Sequence, residues 1–199
     1  WVACRYPDDD ERRVVEAIAG LHGIGPERVV LGCGSSEVLR LCDAAFLGPG
    51  RKLVAAEPTF EAVLQYAKVT RADAVQVPLD AAFRHDLGAM GAACDASTGL
   101  VYVCNPNNPT GTIVSGKELE AFVARVPSST VVLVDEAYHH FVEDPGYRSM
   151  ADLLERYPNL VVARTFSKIY GMAGMRLGYG ISSLANAEAL RAQAAWGNT

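Results

Sequence analysis

Lys168 stands in the run Thr165-Phe-Ser-Lys-Ile-Tyr-Gly-Met-Ala-Gly-Met-Arg-Leu-Gly-Tyr179, with Thr165, Ser167 and glycines around it and Arg176 eight residues on. A lysine kept for solubility normally lies on a charged helix face among Glu and Asp. Here small residues let a backbone approach a ligand closely, and hydroxyls can donate hydrogen bonds to it. An amine in such a loop can attack a carbonyl and form a Schiff base. A glycine-rich surface loop that happens to hold a lysine has the same composition, so the remaining segments must decide.

Three other segments carry chemistry. Gly32-Cys-Gly-Ser-Ser36 leads from an apolar run into a helical pattern. Backbone N–H groups at that helix start, with the hydroxyls of Ser35 and Ser36, suit a phosphate, although a plain helix cap reads alike. Asn105-Pro-Asn-Asn-Pro-Thr-Gly111 follows the run Leu100 to Cys104; its prolines fix the backbone, and Asn108 can present an amide to a ligand. Val131-Val-Leu-Val-Asp-Glu-Ala-Tyr138 puts a carboxylate at the end of a buried strand, where it needs a cationic or hydrogen-bonding partner. That partner is either magnesium with a nucleotide, held by Asp135 and Glu136, or a ring nitrogen of a cofactor paired with Asp135. The first requires G-x-x-x-x-G-K-[ST], and Gly48-Pro-Gly-Arg-Lys52 lacks both the spacing and the closing hydroxyl. His139 and His140 invite a metal, but the rest of a ligand set is not evident and no metal site is expected. His22 and His85 are expected on helix surfaces.

The elements that must position these residues alternate. Helices are predicted from Asp8-Asp-Asp10 to His22, and over Ser36–Phe46, Glu61–Lys68, Leu87–Ala93, Gly116–Arg125, Met150–Arg156 and Asn186–Ala195. Strands are predicted at Arg28–Leu31, Leu53–Ala56, Ala74–Val77, Leu100–Cys104, Val131–Val134, Leu160–Arg164 and Leu177–Gly180. Short β-branched runs separated by amphipathic helices imply parallel strands with crossover helices on both faces of the sheet. In such sheets ligands sit at the carboxyl ends of the strands, which is where Asn105, Asp135 and Lys168 fall.

The 199 residues are 50% hydrophobic and carry a net charge of −5. That length supports one substantial core. The acidic balance without a basic stripe argues against a nucleic-acid surface, and the apolar runs are too short to span a bilayer. The five cysteines form no C-x-x-C pair and read as reduced thiols of a cytoplasmic protein. No repeat, low-complexity tract or long linker divides the chain. Residues 1–199 read as a single cofactor-binding domain, excised from a longer chain.

Taken together, N-P-N-N-P-T-G, V-D-E-A-Y and T-F-S-K-x-Y-G-x-A-G-x-R-x-G-Y resemble a fold-type I pyridoxal-phosphate aminotransferase of the class I/II group, most like its histidinol-phosphate branch. The resemblance runs from Arg5-Tyr-Pro7 to about Gly180. It implies an α/β large domain, a three-layer α-β-α sandwich around a mostly parallel sheet, working as a homodimer with active sites at the subunit boundary. It implies pyridoxal 5'-phosphate held by Lys168, whose freed amine then shuttles a proton. Asp135 would pair with the pyridine nitrogen, Tyr138 and Asn108 would hydrogen-bond the phenolic oxygen, and Phe60 would stack on the ring. Gly34, Ser35, Ser36, Thr165, Ser167 and Arg176 match the phosphate cup, and Tyr6 the tyrosine that reaches the phosphate of the neighbouring subunit. The implied reaction is transamination between an amino acid or amino-alcohol phosphate and a 2-oxo acid. A pyridoxal-phosphate decarboxylase, an aromatic aminotransferase and a non-catalytic cofactor-binding sensor domain share the scaffold. The substrate-gripping arginines of the family lie in a smaller domain beyond these residues.

Overall fold

The computed structural model of the chain describes residues 9–194. In chain order they form α1 (Asp9–His22), β1 (Val29–Cys33), α2 (Ser35–Phe46), β2 (Lys52–Glu57), α3 (Ala62–Thr70), β3 (Asp73–Pro78), α4 (Leu87–Ala92), β4 (Thr98–Cys104), α5 (Gly116–Val123), β5 (Val131–Asp135), β6 (Leu160–Thr165), β7 (Leu177–Ser182) and α6 (Leu184–Arg191). The strands make one sheet in the order β1-β7-β6-β5-β4-β2-β3.

Burial along the strands explains that order. Every residue of β4, β5 and β6 is buried, so these runs of Val, Leu and Ala have no solvent face and occupy the centre. β3, mostly exposed, is an edge. Successive side chains point to opposite faces, and the core divides accordingly. Val101, Val103, Val132, Val134 and Val162 meet Ile18 of α1, Met90 of α4, and Leu119 and Phe122 of α5. Leu100, Tyr102, Leu133 and Val161 meet Leu39 and Leu41 of α2, Val63 of α3 and Leu190 of α6. Fully burying each such side chain contributes roughly 1.5–3 kcal/mol. The result is the expected three-layer α/β sandwich.

The sheet is mostly parallel, as expected, and its exception is β7, which runs antiparallel to both β6 and β1. Only the stretch 166–176, with a short 3₁₀ turn at Ala173–Met175 and no crossover helix, joins β6 to β7, so the chain returns antiparallel. This return brings the lysine loop back over the start of α2. At Gly178 a Cβ would lie 2.2 Å from the Ser35 nitrogen, so only glycine lets β7 pass beneath that helix end.

The helix expected over Met150–Arg156 is instead a 3₁₀ turn, Met150–Leu153. Buried Glu136 takes the Met150 N–H at 2.7 Å, and the Ser149 hydroxyl accepts from Ala151 at 3.1 Å, which pins the start of the turn to the sheet. The last helix starts earlier than expected, at Leu184 behind a Ser183 cap, and ends at Arg191. No described helix is long and apolar enough to cross a membrane.

Candidate active site

The parallel register sets Cys104 of β4 beside Asp135 of β5, and Asp135 beside Ala163 of β6, so the ends of β4 and β5 open at one level and β6 runs two residues further, to Thr165. A cavity of about 190 Å³ lies over them. Ser35, Ser36, Phe60, Asn108, Asp135, Tyr138, Thr165, Ser167, Lys168 and Arg176 all line it. Residues from five separate stretches of sequence thus meet in one place. Tyr6 lies outside the described residues.

One wall is built for an anion. The first N–H groups of a helix have no intrahelical acceptor and carry the positive end of its dipole, and α2 begins at Ser35 on the cavity. Gly34, with φ 77°, precedes it. Its own N–H donates to the Arg176 carbonyl at 3.0 Å, so Gly34 contributes room rather than a donor. A Cβ there would stand 2.4 Å from Arg176 Nη2. Arg176 donates from Nη1 to the Ala173 carbonyl at 2.9 Å and from Nη2 to the Cys33 carbonyl at 3.3 Å. These bonds fix the guanidinium fork while leaving further N–H groups for a ligand. Thr165 accepts the Ser167 N–H at 3.1 Å, which curls the loop around the cup.

The floor is a carboxylate. Asp135 is 3% exposed. Its Oδ1 accepts the Ala137 N–H at 3.1 Å and its Oδ2 accepts the Tyr102 hydroxyl at 3.0 Å. Burial pushes its pKa up to about 6; the Tyr102 and Ala137 hydrogen bonds hold it from going higher, Glu136 adds repulsion, and Lys168 across the cavity pulls it down. An ionised carboxylate offers about four acceptor positions, and two are filled here. A cationic N–H donor arriving from the cavity would complete it.

Lys168 also lines the cavity and is exposed, with Nζ 5.1 Å from the Tyr138 ring centroid. Asn108 and half-buried Phe60 close the remaining sides. The other asparagines of that turn are structural. Asn105 is buried and pairs both ways with the backbone of Val114, at 3.1 and 3.0 Å. Asn107 accepts from Thr59 at 2.8 Å and donates to the Pro58 carbonyl at 3.2 Å, tying the turn to the segment that carries Phe60.

Glu136 faces away from the cavity into a buried network. Arg164 donates to its Oε2 from Nε at 3.0 Å and Nη2 at 2.8 Å, and Ser149 donates at 2.8 Å. With Oε1 taken by Met150 N–H, Glu136 has nothing left for magnesium, which removes the nucleotide alternative. The histidines are packing groups. His85, expected on a helix surface, is buried instead, with Nε2 2.9 Å from the Cys104 carbonyl, and burial lowers its pKa. His22 is partly buried with Nε2 3.0 Å from the Tyr179 hydroxyl, and burial lowers its pKa to about 4. His139 and His140 sit against Tyr147 and Tyr170, at 3.3 and 3.2 Å. Among the described residues no group of three or more His, Cys, Asp or Glu could hold a metal.

Tyr102 was not legible as a site residue, since in sequence it is one more bulky member of a strand. Only the register of β4 against β5 brings its hydroxyl to Asp135. The set suits a phosphorylated pyridine aldehyde: an anion cup at one end, a buried carboxylate for a ring N–H, and an amine for the aldehyde.

The family model described as aminotransferase class I and II matches residues 4–198. A histidinol-phosphate aminotransferase of Brevibacillus brevis is 44% identical over 178 residues, 89% of this chain and 49% of that protein. An aromatic amino acid aminotransferase of Cutibacterium acnes is 43% identical over 179 residues, 90% of this chain and 51% of that protein. The crystal structure of histidinol-phosphate aminotransferase from Sinorhizobium meliloti in complex with pyridoxal-5'-phosphate superposes with a TM-score of 0.88 at 28% identity, covering 96% of this chain and 51% of that one. The chain spans about half the length of the curated relatives it matches.

Proposed function

The chain belongs to the aminotransferase class I and II family, and from that premise we propose that it is the cofactor-binding large domain of a pyridoxal-phosphate-dependent aminotransferase. Its amino donor is an amino acid or amino-alcohol phosphate of the histidinol-phosphate kind, and its acceptor a 2-oxo acid. The observation that carries this reading is the single cavity that unites the Asp135 carboxylate, the Lys168 amine and the Arg176 cup.

Bound pyridoxal phosphate supplies an aldehyde carbon that condenses with amines and a ring that accepts the electron pair of a broken Cα–H bond. The chain's own residues do the rest. Lys168 would be the covalent anchor for the aldehyde carbon, and its Nζ, when free, would carry the proton from the substrate Cα to the former aldehyde carbon. Asp135 would accept the hydrogen bond of the ring N–H and keep that nitrogen charged. Asn108 and Tyr138 would donate to the phenolic oxygen, Phe60 would cover the ring face, and Arg176 with the α2 start and the hydroxyls of Ser35, Ser36, Thr165 and Ser167 would grip the phosphate.

We place the working enzyme in the cytoplasm as a homodimer. Exposed Ile169, Tyr170 and Met175 flank Lys168 and would be covered by a partner there. The 43% identity to an aromatic amino acid aminotransferase supports a second donor class on the same machinery. The experiment is single-turnover amino transfer by the parent protein, loaded with pyridoxal phosphate and offered histidinol phosphate or phenylalanine in turn. The reading expects turnover with the first and its loss in Lys168→Ala. Preference for phenylalanine favours the second reading, and turnover by Lys168→Ala at the wild-type rate refutes both.

A further inference from the structure

We propose that Tyr102 is a positioning residue, its phenol orienting the Asp135 carboxylate and holding it as an anion for whatever cation enters the cavity. The proposal concerns a residue that does not line the cavity and rests on the reading of Asp135 given above.

The geometry is specific. Tyr102 lies on β4 two residues before Cys104, and Cys104 is the register partner of Asp135. A side chain starting two residues lower on the same face must run along the sheet to reach the strand end, and tyrosine is long enough to do so. Its ring is fully buried among Leu39, Leu41, Leu53 and Leu133, so it cannot swing away. Its hydroxyl ends 3.0 Å from Asp135 Oδ2. No other side-chain hydrogen bond to the Asp135 carboxylate is present among the described residues. With Oδ1 on the Ala137 N–H and Oδ2 on Tyr102, the carboxylate is held at both oxygens, and the lone pairs still open are those toward the cavity.

The direction of donation is fixed as well. Burial first, and Asp135 and Cys104 next, push the phenol's pKa well above its ordinary value, so it stays protonated and can only donate to the anion. The groups bearing on Asp135 are Tyr102 and Cys104 on β4, Glu136 beside it and Lys168 across the cavity. Of these, Tyr102 gives the largest stabilisation of the charged form. A hydrogen bond to the ionised form lowers a carboxyl pKa. Without Tyr102 burial would win, and Asp135 would hold a proton near neutrality, unable to pair with a protonated ring nitrogen.

The test uses the cofactor-free parent protein carrying [13Cγ]aspartate, titrated by NMR, with Asp135→Asn identifying the resonance. The wild-type midpoint is expected at about 6. Tyr102→Phe, which removes one oxygen and little else, should raise it by about one pH unit. Site-specific 3-fluorotyrosine at position 102, a stronger donor of nearly the same shape, should lower it; this arm carries the test alone if the Phe variant does not fold. A midpoint that moves in neither variant, or moves the opposite way, overturns the proposal. A merely structural role for the ring would leave the fluorotyrosine midpoint where it was. Because no cofactor is present, failure of wild-type protein to bind pyridoxal phosphate would sink the functional reading and leave this titration standing.

Discussion

Asp43 in α2 is wholly buried, and neither carboxyl oxygen has a hydrogen-bond partner. Burial alone pushes its pKa from the ordinary 3.8 up to about 8. The folded chain therefore keeps the proton over a range in which the unfolded chain has already lost it. Stability from this group is intact below about pH 4 and falls by about 1.4 kcal/mol for each pH unit. The loss continues until the folded carboxyl itself ionises near 8, where it levels off. Between pH 5 and 8 the accumulated loss is about 4 kcal/mol, a large share of the 5–15 kcal/mol typical of a domain. Asp43→Asn keeps the shape and removes the proton. Urea unfolding of both proteins across that range, with all other groups in common, isolates the residue. The variant should gain on the wild type by about 4 kcal/mol from pH 5 to pH 8. Two stability curves that stay parallel would mean that Asp43 reaches water or a partner, and the buried-carboxyl reasoning would be refuted.

Three further outcomes are expected. Glu136→Ala strands the Arg164 guanidinium in the core and should destabilise the chain by about 3–5 kcal/mol in urea unfolding; a loss under 1 kcal/mol would mean that Arg164 finds water. Gly34→Ala forces a side chain against Arg176 at a left-handed φ, so pyridoxal phosphate affinity by equilibrium titration should fall by about tenfold or more, while unchanged affinity would remove Arg176 from the anion cup. Acidification through about pH 6 should neutralise Asp135 in the cofactor-free chain, so the affinity for pyridoxal phosphate should drop below that midpoint. A drop equally large in Asp135→Asn would assign it to another group.

The sequence disclosed what is local. A carboxylate after four apolar residues, an Asn/Pro turn after a strand, and a lysine among glycines each announce a strand end with something to hold, and all three meet over one cavity. Short apolar, β-branched runs placed the central strands to within a residue or two. What stayed hidden depends on contacts between distant segments. Tyr102, Glu136 and Arg164 carry ordinary strand or helix signals, and only inter-strand register pairs them. The reversal into β7 has no period of its own, because a return loop and a crossover differ only in where the next strand pairs. His85 reads as a surface histidine until the fold closes over it and gives it the Cys104 carbonyl. The roles of Asn105 and Asn107, as against Asn108, separate only when the direction of each amide is known.

The central claim, that the Lys168 amine holds the aldehyde carbon of pyridoxal phosphate, is tested most directly by borohydride reduction of the loaded protein followed by peptide mapping. The account predicts one stable pyridoxyl label, on the peptide containing Lys168. A label on Lys52, Lys68 or Lys117, or none at all on protein saturated with pyridoxal phosphate, would contradict it.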